Sequence, residues 1–151
     1  PYCIGALQYA RSVGAFCVGL SCNSPAELSA YADISIEVDA GPEILTGSTR
    51  LKSGTAEKMI LNMISTASMV GIGKVYGNLM VDMKATNLKL AERARRIVCM
   101  ACGCNSEKAS ETLHQAGGNM KTAIVMIQSG VSREEAEQRL LKHKGFVRKC
   151  I

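Results

Sequence analysis

The stretch that decides the fold is AFCVGLSCNSPAELSAYADISIEV, residues 15–38. Its first part, AFCVGLSC, is a short apolar run closed by the turn cluster NSPAE. A run of that length, bounded by turn residues, is what a buried parallel strand looks like. ISIEV (Ile34–Val38) is a second strand, flanked by Asp33 and Asp39. Strand, polar turn, short helical link and strand is the rhythm of an α/β sheet with crossovers.

Working outward, residues 2–12 read as the end of a helix, with Ile4, Leu7 and Arg11 at helical spacing and Gly14 as the stop. On the other side, Ala56, Met59, Ile60, Met63, Ile64 and Ala67 recur at three and four residues. They predict an amphipathic to fully buried helix ending near Gly71. GIGKVYGN reads as a loop, and NLMVDM as a further helix or a short extended piece. Ala85–Cys102 reads as a long helix, with Leu88, Leu90, Ala91, Ala94, Ile97, Val98 and Ala101 apolar and Arg93, Arg95 and Arg96 facing mostly outward.

The last part of the chain holds a weak internal repeat. Ala109, Leu113, Gly118 and Lys121 return 27 positions later as Ala136, Leu140, Gly145 and Arg148. NSEKASETL and VSREEAEQRL both open as capped helices, and MKTAIVMIQSG between them is a strongly apolar helix closed by Gly130. Three short helices of this kind make a small bundle.

Composition sets the class. The chain of 151 residues is 47% hydrophobic and 21% charged, a globular balance, and at 4% aromatic residues its core must be aliphatic. The net charge of +5 is uneven: residues 1–83 carry 5 Lys/Arg against 7 Asp/Glu, residues 84–151 carry 13 against 6. This split suggests two units with different surfaces. The basic second half reads as solvated helix faces, because aromatic platforms and nucleic-acid motifs are missing. Neither nucleic acid nor membrane is therefore expected as a partner. Seven cysteines include the cluster CMACGC (Cys99, Cys102, Cys104). A zinc site usually needs a second ligand pair at regular spacing, and neither His114 nor His143 supplies one, so free thiols are expected and no metal or other cofactor.

The chemistry is concentrated in GPEILTGSTRLKSGTAEK, residues 41–58. It brings Thr46, Ser48, Thr49, Arg50 and Lys52 together within seven residues, ahead of a helix. Hydroxyls, cations and backbone N–H groups at a helix start are what a sugar phosphate asks for. Arg50 and Lys52 would neutralise the phosphate or steady an enolate-like charge. The plainer alternative is that Ser48 or Thr49 caps the helix and Arg50 pairs with a carboxylate. Glu43 is the tempting carboxylate of this stretch, while Glu57 sits in a first helical turn and favours its dipole. Lys121, just before an apolar helix, is a second candidate cation.

GPEILTGSTRLKSGTAEKMILNMISTASM, GKVYGNLMVDMKATNLKL and KTAIVMIQSGVSREEAEQRL with GFVRK resemble the carboxyl-terminal half of the bacterial N-acetylmuramic acid 6-phosphate etherase family. The related glucokinase regulatory protein shares that architecture but is a sugar-phosphate-sensing inhibitor. The resemblance implies an α/β fold: a partial SIS-type (sugar isomerase) parallel sheet with flanking helices over residues 1–84. A linking helix and a small ubiquitin-associated-like helical domain would follow over residues 85–151. It implies a cytoplasmic, homodimeric lyase of peptidoglycan recycling that cleaves the D-lactyl ether to give N-acetylglucosamine 6-phosphate and D-lactate. The alternative it carries is a non-catalytic sugar-phosphate-binding regulator. In that family the two catalytic glutamates and the Gly/Ser-rich phosphate loop lie in the amino-terminal half. They are expected upstream of this chain, so no catalytic residue is assigned within it. Substrate contacts fall on Ser48, Thr49, Arg50 and Lys52, and on Lys121 from the small domain. His143 stands where the family commonly reads His-Gly-Gly; Lys144 replaces the first glycine, which puts any special backbone geometry there in question.

Overall fold

A computed structural model describes residues 1–151. The chain mixes helix and sheet and divides into two compact units, Pro1–Ser65 and Thr66–Ile151. No helix is long and apolar enough to cross a membrane.

The first unit opens with α1 (Tyr2–Ser12), ended by Gly14 at φ +79°. Strand β1 (Val18–Ser21) then pairs in parallel with β2 (Ile34–Glu37), Val18 opposite Ile34 and Ser21 opposite Glu37. The link between them is a 3-10 turn, Glu27–Tyr31. Gly19 is needed where this turn crosses the strand. A Cβ there would come within 2.5 Å of Leu28 Cδ1 and 3.1 Å of the Ala32 methyl. Asp33 ties the start of β2 to the strand beside it by accepting the Cys17 N–H at 2.7 Å, and it pairs with Arg11 at 3.4 Å. Helix α2 (Lys52–Gly71) begins in this unit and continues into the next. Its apolar periodicity is as expected, but its apolar face is not covered: Met59, Leu61 and Met63 are all more than half exposed. Cys17 is the one buried hydrophobic residue of the first unit.

The second unit has a closed core. GKVYGNLM, expected as a loop followed by a helix or extended piece, forms a tight hairpin of β3 (Val75–Tyr76) and β4 (Leu79–Met80), with Gly77 at φ +60° in the turn. Four helices follow: α3 (Leu88–Cys102), α4 (Ser106–Gln115), α5 (Met120–Ser129) and α6 (Arg133–Lys142). Each start is capped by a side-chain oxygen that accepts an otherwise orphan N–H: Asn87 from Leu90, Asn105 from Lys108, Asn119 from Thr122 and Ser132 from Glu135. α5 packs against α3, α4 and α6, and Met120, Ile124 and Val125 are fully buried at the centre.

The 27-residue repeat is a repeat of backbone geometry. Ala109 and Ala136 are both buried completely, and Leu113 and Leu140 nearly so. After α4 the Gly118 N–H reaches the Leu113 carbonyl at 2.8 Å; after α6 the Gly145 N–H reaches Leu140 at 2.7 Å. Both are six-residue closures of the Schellman type, with Gly118 at φ +80° and Gly145 at φ +79°. The preceding position is left-handed in both copies, Gly117 at φ +62° and Lys144 at φ +52°. Lysine thus keeps the glycine geometry, at a steric cost of about 1 kcal/mol.

Candidate functional site

The candidate loop lies in the first unit. Gly47 turns the chain at φ +87°, and the Ser48 N–H closes the turn on the Leu45 carbonyl at 3.2 Å. Thr49, Arg50 and Lys52 are exposed, and Ser48 is half-buried. Neither Arg50 nor Lys52 stands in an ion pair. The turn thus presents, within five residues, two hydroxyls and two cations that stand in no close ion pair, Lys52 being attracted at longer range by Glu43.

The start of α2 is held differently from either sequence reading. Glu43 reaches forward nine and ten residues, its two carboxylate oxygens accepting the Lys52 N–H at 3.0 Å and the Ser53 N–H at 3.1 Å. Those are orphan donors at the positive end of the helix dipole. The Lys52 backbone bond, then that of Ser53, holds the Glu43 carboxyl below the usual carboxylate range. Glu43 is therefore ionised and structurally engaged, which is the opposite of what a general acid needs. It also occupies N–H groups to which an anion at this helix end would bind.

Lys121 belongs to the second unit and is 12% exposed. Its Nζ pairs with Asp82 Oδ2 at 3.1 Å, and Lys74 approaches the same oxygen at 3.4 Å. Gly145 lies against it, since a Cβ there would come 3.1 Å from Lys121 Nζ. Partial burial pushes the Asp82 carboxyl up, but the hydrogen bonds and charges of Lys121 and Lys74 outweigh it and leave the carboxyl below its ordinary value. Asp82 was not legible as a partner. It follows a strand too short to show alternation, and it meets Lys121 from 39 positions away.

A third carboxylate, Glu37, organises the carboxyl end of the parallel pair. It accepts hydrogen bonds from the Ser29 and Ser24 hydroxyls and the Ala26 N–H, and these bonds, Ser29 first, lower its pKa. All seven cysteines are free, and no group of three or more His, Cys, Asp or Glu side chains is placed to hold a metal ion. Burial pushes the Cys102 thiol up to about 11, so that it is protonated at neutral pH.

These features describe an α/β chain that offers a hydroxyl-rich, cationic turn ahead of a helix, and it is similar to bacterial proteins named as etherases. The relatives are N-acetylmuramic acid 6-phosphate etherases: that of Geobacillus sp. (strain WCH70) is 59% identical over 151 residues, and that of Mycolicibacterium smegmatis 56%. A Lactiplantibacillus plantarum protein named N-acetylmuramic acid 6-phosphate etherase 2 is 58% identical. Each match covers 100% of this chain and 51% of the relative, so the chain spans about half the length of the curated proteins it matches. The resemblance carried by the loop, the hairpin segment and the last two helices thus extends over every residue. No family model matches the chain.

Proposed function

We propose that this chain forms the carboxyl-terminal part of a lyase that cleaves the D-lactyl ether of N-acetylmuramic acid 6-phosphate, releasing N-acetylglucosamine 6-phosphate and D-lactate in peptidoglycan recycling. The observation that carries this reading is the identity of 54–59% with etherases along the entire chain. In this reading Ser48, Thr49, Arg50 and Lys52 form one wall of the sugar-phosphate site. Because Glu43 already occupies the first helical N–H groups, the phosphate is gripped by side chains: hydroxyl donors from Ser48 and Thr49, and charge from Arg50 and Lys52. Lys121 contributes from the small domain, with Asp82 holding its ammonium. No metal or other cofactor takes part, and the acid and base glutamates lie outside these residues.

The finer architecture belongs to the same proposal. The parallel pair β1–β2 is part of an SIS-type sheet, with the domain boundary near 84/85 and α2 as a sheet-flanking helix. The three short helices α4–α6 form the ubiquitin-associated-like domain. The uncovered apolar positions of α1 and α2 support this assignment, since a sheet of this class is covered by helices on both faces. The complete protein is a cytoplasmic homodimer.

The test has two parts. The purified 151-residue chain, incubated with the substrate, releases no D-lactate; turnover would show that the missing glutamates are not needed. In the complete protein, Arg50→Ser raises KM by about tenfold or more through loss of a charge-assisted phosphate contact. Substrate binding by the complete protein without lactate release would favour instead a sugar-phosphate-binding regulator.

A further inference from the structure

Helix α3 carries a ridge that neither its core packing nor the loop before α2 uses. Lys89, Arg93, Arg96 and Met100 follow one another at four, three and four residues, which places them on one helical face. Ala94, Ile97 and Val98 are the buried positions of the same helix. Arg93, Arg96 and Met100 are exposed. The one acid of α3, Glu92, is committed to Arg95, whose Nε donates to it at 2.9 Å. Lys89, Arg93 and Arg96 stand in no ion pair. Three like charges in a row repel one another, and Glu92, already hydrogen-bonded to Arg95, offsets them only through its longer-range attraction to Arg96.

Hollows flank this ridge on both sides. One, of about 350 Å³, runs to the hairpin and is lined by Asn78, Met80 and Met100. The other, of about 470 Å³, is lined by Asn87, Lys89 and Leu90, and also by the Glu92 carboxylate, which disfavours an anion there. Arg93 and Arg96 line both. The hairpin-side hollow therefore combines two guanidinium forks with one carboxamide and an apolar floor, and no carboxylate lines it. Guanidinium forks match the oxygens of a phosphate in pairs. The carboxamide can hydrogen-bond a neutral hydroxyl or ester oxygen. Each volume is within the range of small-molecule pockets. No aromatic side chain lines either hollow, so the stacking platforms of a nucleic-acid groove are missing.

We propose that the Arg93–Arg96 ridge of α3 is a binding site for a phosphorylated small molecule with an apolar body, formed by residues other than those of the sugar-phosphate loop. The phosphate bridges Arg93 and Arg96, and the body rests on Met80 and Met100.

The probes are inorganic pyrophosphate and phenyl phosphate, titrated into the 151-residue chain labelled with ¹⁵N and with ¹³C at the methionine methyls, at low ionic strength, and followed by NMR. Saturable shifts at the Asn78 carboxamide and at the Arg93 and Arg96 Nε–H groups are expected, with phenyl phosphate also moving the Met80 and Met100 methyls. Arg93→Gln with Arg96→Gln weakens both probes about tenfold or more, while the equal charge loss Lys108→Gln with Lys142→Gln changes them less than about twofold. Arg96→Lys retains the charge but removes the fork, and it weakens binding severalfold even if the double variant is poorly folded. Equal weakening in the two double variants would reduce the effect to diffuse charge and overturn the site. So would an absence of saturable shifts at millimolar probe. Binding of a short RNA that depends on Arg93 and Arg96, with no response to either phosphate probe, would reassign the ridge to nucleic acid and also overturn the proposal.

Discussion

Residues 66–151 bury Val98, Ala109, Met120, Ile124, Ala136 and Val147 in one continuous core, whereas residues 1–65 bury a single hydrophobic side chain, Cys17. The first unit nonetheless contains Tyr2, Tyr9, Phe16, Ile44 and Met63, all more than half exposed. The difference lies in where each kind of element finds its partners. Helices α3–α6 are joined by short turns, so each meets its neighbour within a few dozen residues. A parallel strand finds its neighbours only through crossovers and needs helices on both faces. Two such strands by themselves leave apolar surface uncovered.

The largest expected effect tests that contrast directly. Ile124→Ala, at a fully buried position, costs about 2–5 kcal/mol in chemical denaturation. Met63→Ala, at 66% exposure, stays within about 0.5 kcal/mol in the same chain. Repeating Met63→Ala in the complete protein sharpens the comparison: a cost that rises toward the Ile124 value there means that the α2 face is covered by the rest of the molecule. Equal costs for the two variants in this chain would break the contrast.

Asp82→Asn comes next. It deprives a nearly buried Lys121 of its partner and costs about 1 kcal/mol, kept low by the exposure of Asp82 itself. Because the Asp82 carboxyl is lowered in the folded state, its contribution is present above the ordinary carboxylate pKa and is lost as pH falls through the folded value. The stability gap between wild type and Asp82→Asn is therefore full at neutral pH and closes below about pH 4. A gap that widened with acid would contradict the ion pair.

A smaller effect has the opposite sign. Lys144→Gly relieves a left-handed lysine and raises stability by about 0.5–1 kcal/mol, read as a higher Tm of the helical unit. The smallest effect is local. Glu43→Gln loosens the start of α2, and the Lys52 and Ser53 amides exchange hydrogen faster while the α5 amides are unchanged. Unchanged exchange at Lys52 and Ser53 would remove Glu43 from its capping role.

Much of this fold was legible because the signals were local. Gly14 and Gly130 each take up a left-handed φ just past a helix end. The 27-residue spacing of Ala109, Leu113 and Gly118 with Ala136, Leu140 and Gly145 marked two helices with one closing geometry. Asn87, just inside the expected start at Ala85, moved the beginning of α3 to Leu88, since its side chain caps the Leu90 N–H. The hairpin at residues 75–80 was missed because two-residue strands are too short to show alternation, although Gly77–Asn78 is itself a recognised hairpin turn pair. In the candidate site, the hydroxyls and cations of Ser48–Lys52 were visible as a cluster, but the engagement of Glu43 was not.

The sequence by itself determined which segments are helices and which form the parallel pair, where most helices begin and end, and which turn carries the hydroxyls and cations. Periodicity, side-chain caps and positive-φ glycines act over three to six residues, within reach of a linear reading. The tertiary structure alone decided that Glu43 caps α2, that Asp82 holds Lys121, that Arg93 and Arg96 stand in no close ion pair, and that the α2 face lies open. Each of these depends on where a distant group falls, or fails to fall, within a few ångströms of a side chain. That outcome is set by packing of the whole chain and leaves no mark in its local pattern.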